Sequence, residues 1–188
     1  MMTRALSVRS LFVTALLGVS MFTLGAARTN AGTKTTTPDT SSINQQVHHK
    51  LAMLPWYGVF DNLAYQVNGT EVTLTGEVIS EHGVTKDDAG KAVKSIPGVT
   101  NVVNNIEVLP PSPFDNQIRR AEYRKIFSQP QLGGYSMGAI PQVHIIVKGG
   151  HVSLEGIVMN QMDKTVAGLA ANTVPGVFSV DNNLRIGS

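Results

Sequence analysis

The densest group of chemically competent side chains is the segment Ile118–Phe127, where Arg119, Arg120, Arg124 and Lys125 share one predicted helix with a single acid, Glu122. Arg120 and Arg124 are four apart and so are neighbours on one surface of that helix. The residues allow two readings. One is a solvated face in which Glu122 pairs with Arg119 or Lys125. The other is a dock for anionic headgroups, where each basic residue near an acidic membrane contributes about 1 kcal/mol and four hold the domain loosely and reversibly. A second group is aromatic. Trp56 and Tyr57, and later Tyr135 with Met137, stand in irregular segments. Such rings favour a membrane interface, or else they plug the open end of a small core.

Reactive chemistry finds little support. His48 and His49 are adjacent, so on a helix they diverge and cannot form the i, i+4 ligand pair of a zinc site. His144 and His151 fall on the outward face of a predicted hairpin, with His144 opposite Glu155 as a solvated cross-strand pair. Asp87 and Asp88 read as helix N-terminal charge, favoured by the macrodipole. No acid, base and nucleophile converge, so the reading is of a protein that is not an enzyme and holds no cofactor or metal. Cysteine is absent, which excludes disulfides, thiolate metal sites and acylation at a lipobox.

The elements that position these groups occur twice. Val72-Thr73-Leu74-Thr75-Gly76-Glu77-Val78 returns as Val152-Ser153-Leu154-Glu155-Gly156-Ile157-Val158. A second phrase, Ile96-Pro97-Gly98-Val99 with Val102 and Asn104-Asn105-Ile106-Glu107-Val108, returns as Val174-Pro175-Gly176-Val177 with Val180 and Asn182-Asn183-Leu184-Arg185-Ile186. A long-range duplication of this kind implies two small units of one construction. Units of about 70 residues are marginal for a self-sufficient core, so the halves are expected to lean on each other or on a partner.

Before the repeats, Arg4 and Arg9 precede the apolar stretch Leu11–Gly25, and small residues follow. This reads as a signal peptide over residues 1–27, cleaved after Ala27 or Ala31. The expected destination is periplasmic or secreted. The threonine-rich, polar residues 28–41 read as a disordered linker. The formal net charge is +2 from 15 Lys+Arg and 13 Asp+Glu; without Arg4 and Arg9 the balance is 13 against 13. A globally basic, nucleic-acid-binding surface is therefore excluded.

The first unit is expected over 42–109. Ser42 and Gln45 have capping-box spacing, and Ile43, Val47 and Leu51 make one helical stripe. A hairpin turns at Gly69-Thr70, placing Leu63, Tyr65, Val67, Val72 and Leu74 on one face. Gly76 suggests a bulge or a close approach, most simply by the helix that follows. Thr85 with Asp88 signals that helix, whose stripe is Ala89, Ala92, Val93 and Ile96. The last strand alternates Val102, Asn104, Ile106 and Val108 inward, with Asn104 bonding backbone at a bend. Leu109–Pro113 forms a stiff linker centred on 110–113.

The second unit is expected over 114–187. Ser112 caps its opening helix, and the hairpin turns at Gly149-Gly150. Val143, Ile145, Val147, Val152 and Leu154 point inward; His144, Ile146, Lys148, His151, Ser153 and Glu155 point outward. Asn160 with Asp163 starts a helix whose stripe is Met162, Val166, Leu169, Ala170 and Thr173.

The pieces Gly69, Val72–Val78 with Gly76, Ala89, Gly98-Val99 and Val102–Val108 with Asn104 resemble the BON domain, named for bacterial osmotic-stress and nodulation proteins. The second copy is similar through Gly150, Val152–Val158 with Gly156, Gly176-Val177 and Val180–Ile186 with Asn182. The resemblance implies an α+β fold: two tandem sandwiches, each helix-strand-strand-helix-strand with helices on one face of a three-stranded sheet. It implies a non-enzymatic, exported protein that binds phospholipid surfaces in envelope maintenance or osmotic stress. The expected partner is an anionic phospholipid surface, met by Arg119, Arg120, Arg124, Lys125, Trp56, Tyr57 and Tyr135. The alternative is a protein–protein adaptor in a periplasmic or outer-membrane assembly, docking through an exposed sheet edge.

Overall fold

The computed structural model describes residues 40–79, 84–138 and 140–187. The expected signal segment, and the linker as far as residue 39, lie outside the described residues. The first half runs α1 (Thr40–Ala52), β1 (Asn62–Asn68), β2 (Glu71–Ile79), α2 (Val84–Lys94), β3 (Asn101–Asn104) and β4 (Glu107–Leu109). The second runs α3 (Pro113–Phe127), a 3-10 turn (Gly133–Ser136), β5 (Val143–Lys148), β6 (His151–Val158), α4 (Gln161–Ala171), β7 (Ser179–Asn182) and β8 (Arg185–Ile186). Two similar α+β halves thus follow one another.

Helix starts depart slightly from the spacing. Thr40 and Ser41 are already helical, so Ser42 lies inside α1 and its hydroxyl accepts from the Gln46 amide. Thr85 likewise lies inside α2. The caps of the second half form as expected: Ser112 Oγ accepts from Asp115 N, and the Asn160 side chain accepts from Asp163 N.

Both hairpins adopt the expected register, with Val67 opposite Val72 and Val147 opposite Val152. The final strand of each half runs parallel to the hairpin's second strand and is broken in two, as β3 and β4, then β7 and β8. The break sits at the expected asparagine. Asn104 Nδ2 donates to Lys86 O at 2.8 Å, and its Oδ1 accepts from Ile106 N. Asn182 does the same with Lys164 O, at 2.7 Å, and Leu184 N. A polar side chain on the inner face is thus satisfied by backbone it would otherwise leave unpaired. Past the break the alternation shifts: Val108 and Ile186 are exposed, whereas Leu109 is buried.

The close approach at Gly76 and Gly156 comes from the hairpin's own first strand, not from the following helix. A Cβ at either position would lie 2.0 Å from the carbonyl oxygen of Asn62 or Gln142, and φ is +115° and +119°. Only glycine tolerates both conditions.

Ile43, Val47 and Leu51 meet Val72, Leu74, Ala89 and Val93 in the first core. The second core gathers Ile118, Ile126, Ile145, Val147, Val152, Leu154 and Ala167. In α4 the buried face is Asp163, Ala167, Gly168, Ala170 and Ala171, while Met162 and Leu169 of the expected stripe face solvent. Small residues win that face because the helix sits close to the sheet; a Cβ on Gly168 would lie 2.7 Å from Asn182 Nδ2.

The two cores differ at one equivalent site. Ile43, Val47 and Leu51 of α1 correspond to Ile118, Glu122 and Ile126 of α3, and Glu122 is fully buried with neither carboxylate oxygen hydrogen-bonded. It therefore pairs with neither Arg119 nor Lys125. Burial pushes its pKa up to about 8, so at neutral pH it is mostly the uncharged acid. The folded pKa exceeds that of the unfolded chain, so stability falls as pH rises from about 4.5 towards 8. Glu122→Met keeps the volume and removes the unsatisfied oxygens. We expect it to stabilise the protein by about 1–3 kcal/mol at pH 8 and to flatten the pH dependence of chemical denaturation between 5 and 8. An unchanged slope would show that the carboxyl is solvated.

Candidate functional site

Helix α3 presents its two sides to different tasks. On the inner side Asp115 accepts from Gly149 N at 3.0 Å and Gly150 N at 2.9 Å, tying the β5–β6 turn to the helix start. Arg119 Nη2 donates to Val147 O at 2.6 Å, and Nη1 donates to Asn116 Oδ1. Arg119 is 2% exposed. It is a strut between helix and strand, and its guanidinium does not stand with the other cations. Arg120, Arg124 and Lys125 are exposed on the outer side and, among the described residues, make no ion pair. A charged group left in water along one helix face keeps its field available to an incoming anion.

Two hollows flank that outer side. One, of about 320 Å³, lies between Ala121, Arg124, Lys125 and Ser128 of α3 and the segment Thr173-Val174-Pro175. The other, of about 240 Å³, lies between Arg120, Tyr123 and Arg124 and the first half's Val59 and Phe60.

The expected aromatic group is dispersed. Trp56 is 58% exposed. Tyr135 is buried: its hydroxyl donates to Asp163 Oδ2 and accepts from Met159 N, fixing the 3-10 turn against α4. Tyr57 is half-buried and stacks on His144, with ring centroids 5.2 Å apart and planes at 24°. His144 does pair with Glu155 in register, but it is buried, and so is Ile146. At His144 the expected outward face of β5 is covered by Tyr57 and Gly58 of the first half.

That joint is built from backbone as well as rings. Ile145 N donates to Val59 O at 2.7 Å, and the His144 Nδ1 lies 3.1 Å from Gly58 O. Asp61, fully buried, holds the segment by accepting from Gly58 N and Ile79 N. Lys148 and Glu107 form an exposed ion pair at 2.7 Å across the halves. Glu77 nearby has its pKa raised by burial first, then by Glu155 and Glu107.

A Gly-x-Ser-x-Gly spacing, which a motif search alone would flag, occurs at Gly134-Tyr135-Ser136-Met137-Gly138. It does not form a nucleophile elbow, which needs a strand-to-helix turn. It lies across a 3-10 turn, and the Ser136 hydroxyl donates to Gly133 O at 3.0 Å. Among the described residues no histidine bonds it, and no group of three His, Asp or Glu could hold a metal.

The described residues therefore define a duplicated α+β module with three exposed cations on one helix face. A family model for the BON domain matches residues 39–110 and 131–188, more than half of the sequence, and the chain belongs to the BON domain family. This is a family of non-enzymatic binding domains. No curated protein matches the chain. Among solved structures it is similar to the C-terminal domain of CdsD, a structural protein of the type III secretion system of Chlamydia trachomatis, at 12% identity and TM-score 0.31, covering 80% of this chain and 100% of that one. A second structure of CdsD gives 15% identity and TM-score 0.26, covering 78% and 94%.

The joint carries a pH dependence of its own. Burial lowers the His144 pKa, against smaller opposing effects of Gly58 and Asp61. Tyr57, Asp61 and Glu155 are the titratable groups around it. Because the folded value lies below the unfolded one, its contribution is complete above the unfolded value, about 6.5, and is lost as pH falls below it. Hydrogen exchange of the Ile145 amide, corrected for intrinsic rate, should accelerate between pH 7.5 and 5. Tyr57→Ala should accelerate it at both and cost about 1–2 kcal/mol. Exchange in the wild type that does not change with pH would contradict this.

Proposed function

We propose that this is an exported, non-catalytic protein of the bacterial envelope that adheres to anionic phospholipid through the outer face of α3. The observation that carries the reading is the exposure of Arg120, Arg124 and Lys125 together, without acidic partners among the described residues, on a chain whose Lys+Arg and Asp+Glu balance at 13 each once Arg4 and Arg9 are removed. Export rests on the basic, then apolar, then small-residue order of the first 27 residues. Family membership supports a binding role at the envelope.

Of the four cations expected to share the contact, Arg119 supports the fold instead, so three carry the attraction. At about 1 kcal/mol each they supply about 3 kcal/mol, roughly a hundredfold in affinity. Such binding is reversible and weakens with salt.

Sedimentation with vesicles containing anionic lipid tests this. The wild type should bind at low ionic strength and release as salt rises, and neutral vesicles should leave it in solution. Replacing Arg120, Arg124 and Lys125 by glutamine should weaken binding by about two orders of magnitude with little change in thermal stability. Arg119→Gln should do the reverse, lowering stability and sparing lipid affinity once folded. Equal binding by the triple variant would refute the reading.

A further inference from the structure

We infer that the hollow between Phe60 and α3 is a second binding site, which shares Arg120 and Arg124 with the bilayer contact and takes the apolar C-terminal residue of another polypeptide with its free carboxylate. It is lined by Val59, Phe60 and Tyr123 together with Arg120 and Arg124. Phe60 and Tyr123 meet edge to face, with centroids 6.3 Å apart, and Tyr123 meets Phe127 in the same way at 5.0 Å. The walls are thus held in fixed orientation, yet Tyr123 stays 39% exposed. The hollow belongs to neither half alone. Val59 and Phe60 reach α3 because Val59 O accepts from Ile145 N, and both pack against the second core.

Charge and size choose the occupant. Two guanidiniums one helical turn apart can each present a planar fork of donors, the geometry that recognises a carboxylate. Apolar and aromatic side chains lining the same hollow as two arginines ask for a ligand in which carboxylate and hydrocarbon are adjacent. The last residue of a polypeptide is such a group, and capture of a chain's terminal carboxylate is a recurrent mode of recognition. At about 240 Å³ the space lies below the range of roughly 300–1,000 Å³ that accommodates whole small molecules. It fits one large side chain. No acidic residue lines it, so an anionic end meets no repulsion there.

The test uses the purified protein and two acetylated pentapeptides of glycine and serine ending in leucine, one with a free carboxylate and one amidated. Titration followed by NMR should show the acid binding at least tenfold more tightly than the amide, with shifts at Val59, Phe60 and Tyr123. Tyr123→Ser should weaken the acid at least fivefold while leaving sedimentation with anionic vesicles unchanged, because Arg120, Arg124 and Lys125 remain. That combination separates this site from the lipid reading. Acid and amide binding equally, or neither binding to the wild type, overturns the proposal. So does joint loss of peptide and vesicle binding in Tyr123→Ser, which would make the hollow part of the membrane contact.

Discussion

The structure depends on a strand that is buried on both faces. All of Val143–Val147 in β5 is buried, although the helices of its own half cover one face. The other face, His144 and Ile146, needs cover from outside that half, and the strand's free edge needs a partner for its amides. One short segment of the first half meets both needs in part: Tyr57 and Gly58 cover His144, and Val59 O accepts from Ile145 N at the edge. Units of this size bury too small a fraction of their surface to stand comfortably alone. Joining them through an edge bond and a ring stack turns two marginal cores into one compact unit, and it also protects an edge that would otherwise be open to pairing with other chains.

Comparison of the two halves separates what the construction requires from what each copy has made of it. The requirement includes the glycine that lets two strands approach, and the asparagine that breaks the last strand while bonding the helix above. Both recur with nearly the same distances. Divergence is concentrated in the opening helix. The first copy's Val47 becomes Glu122, and Asn44 becomes Arg119; Thr40 becomes Asp115. The last two changes bind α3 to the hairpin backbone through charged side chains, where α1 meets its hairpin through apolar packing and the hydrogen bond that Tyr65 donates to Asn44. Such bonds to charged groups contribute more than neutral ones, which offsets the cost of an acid in the core.

Much of this was legible in sequence because it rests on local rules. Hairpin register follows from a period of two and a two-residue turn, and the repeat supplied an independent second instance. The asparagine's backbone bond followed from its place on an inward face. What was illegible depends on contacts between distant segments. His144 looks outward by alternation, and nothing in the alternation reveals that Tyr57, 87 residues earlier, will cover it. Arg119 looks like one cation among four until the helix is rotated against β5. Glu122 offered a signal that was available: aligning α3 with α1 puts it in register with a core valine. The stripe in α4 failed for a different reason. Large apolar residues score as core, but a helix held close to a sheet buries alanine and glycine and turns its methionines and leucine out.

The division of α3 into an inner and an outer side has a further consequence. Arg119 and Asp115 spend their charge on backbone groups of the second sheet, so the orientation of the helix is fixed by polar bonds on that side. Arg120, Arg124 and Lys125 are then presented in a constant array, because rotation about the helix axis would break Arg119 from Val147 and Asp115 from the turn. An adhesive surface gains from this rigidity, since less entropy is lost when its side chains engage. The same rigidity places Tyr123 opposite Phe60, so the aromatic hollow and the cationic face share one origin: the strand buried on both sides, and the neighbour that covers it.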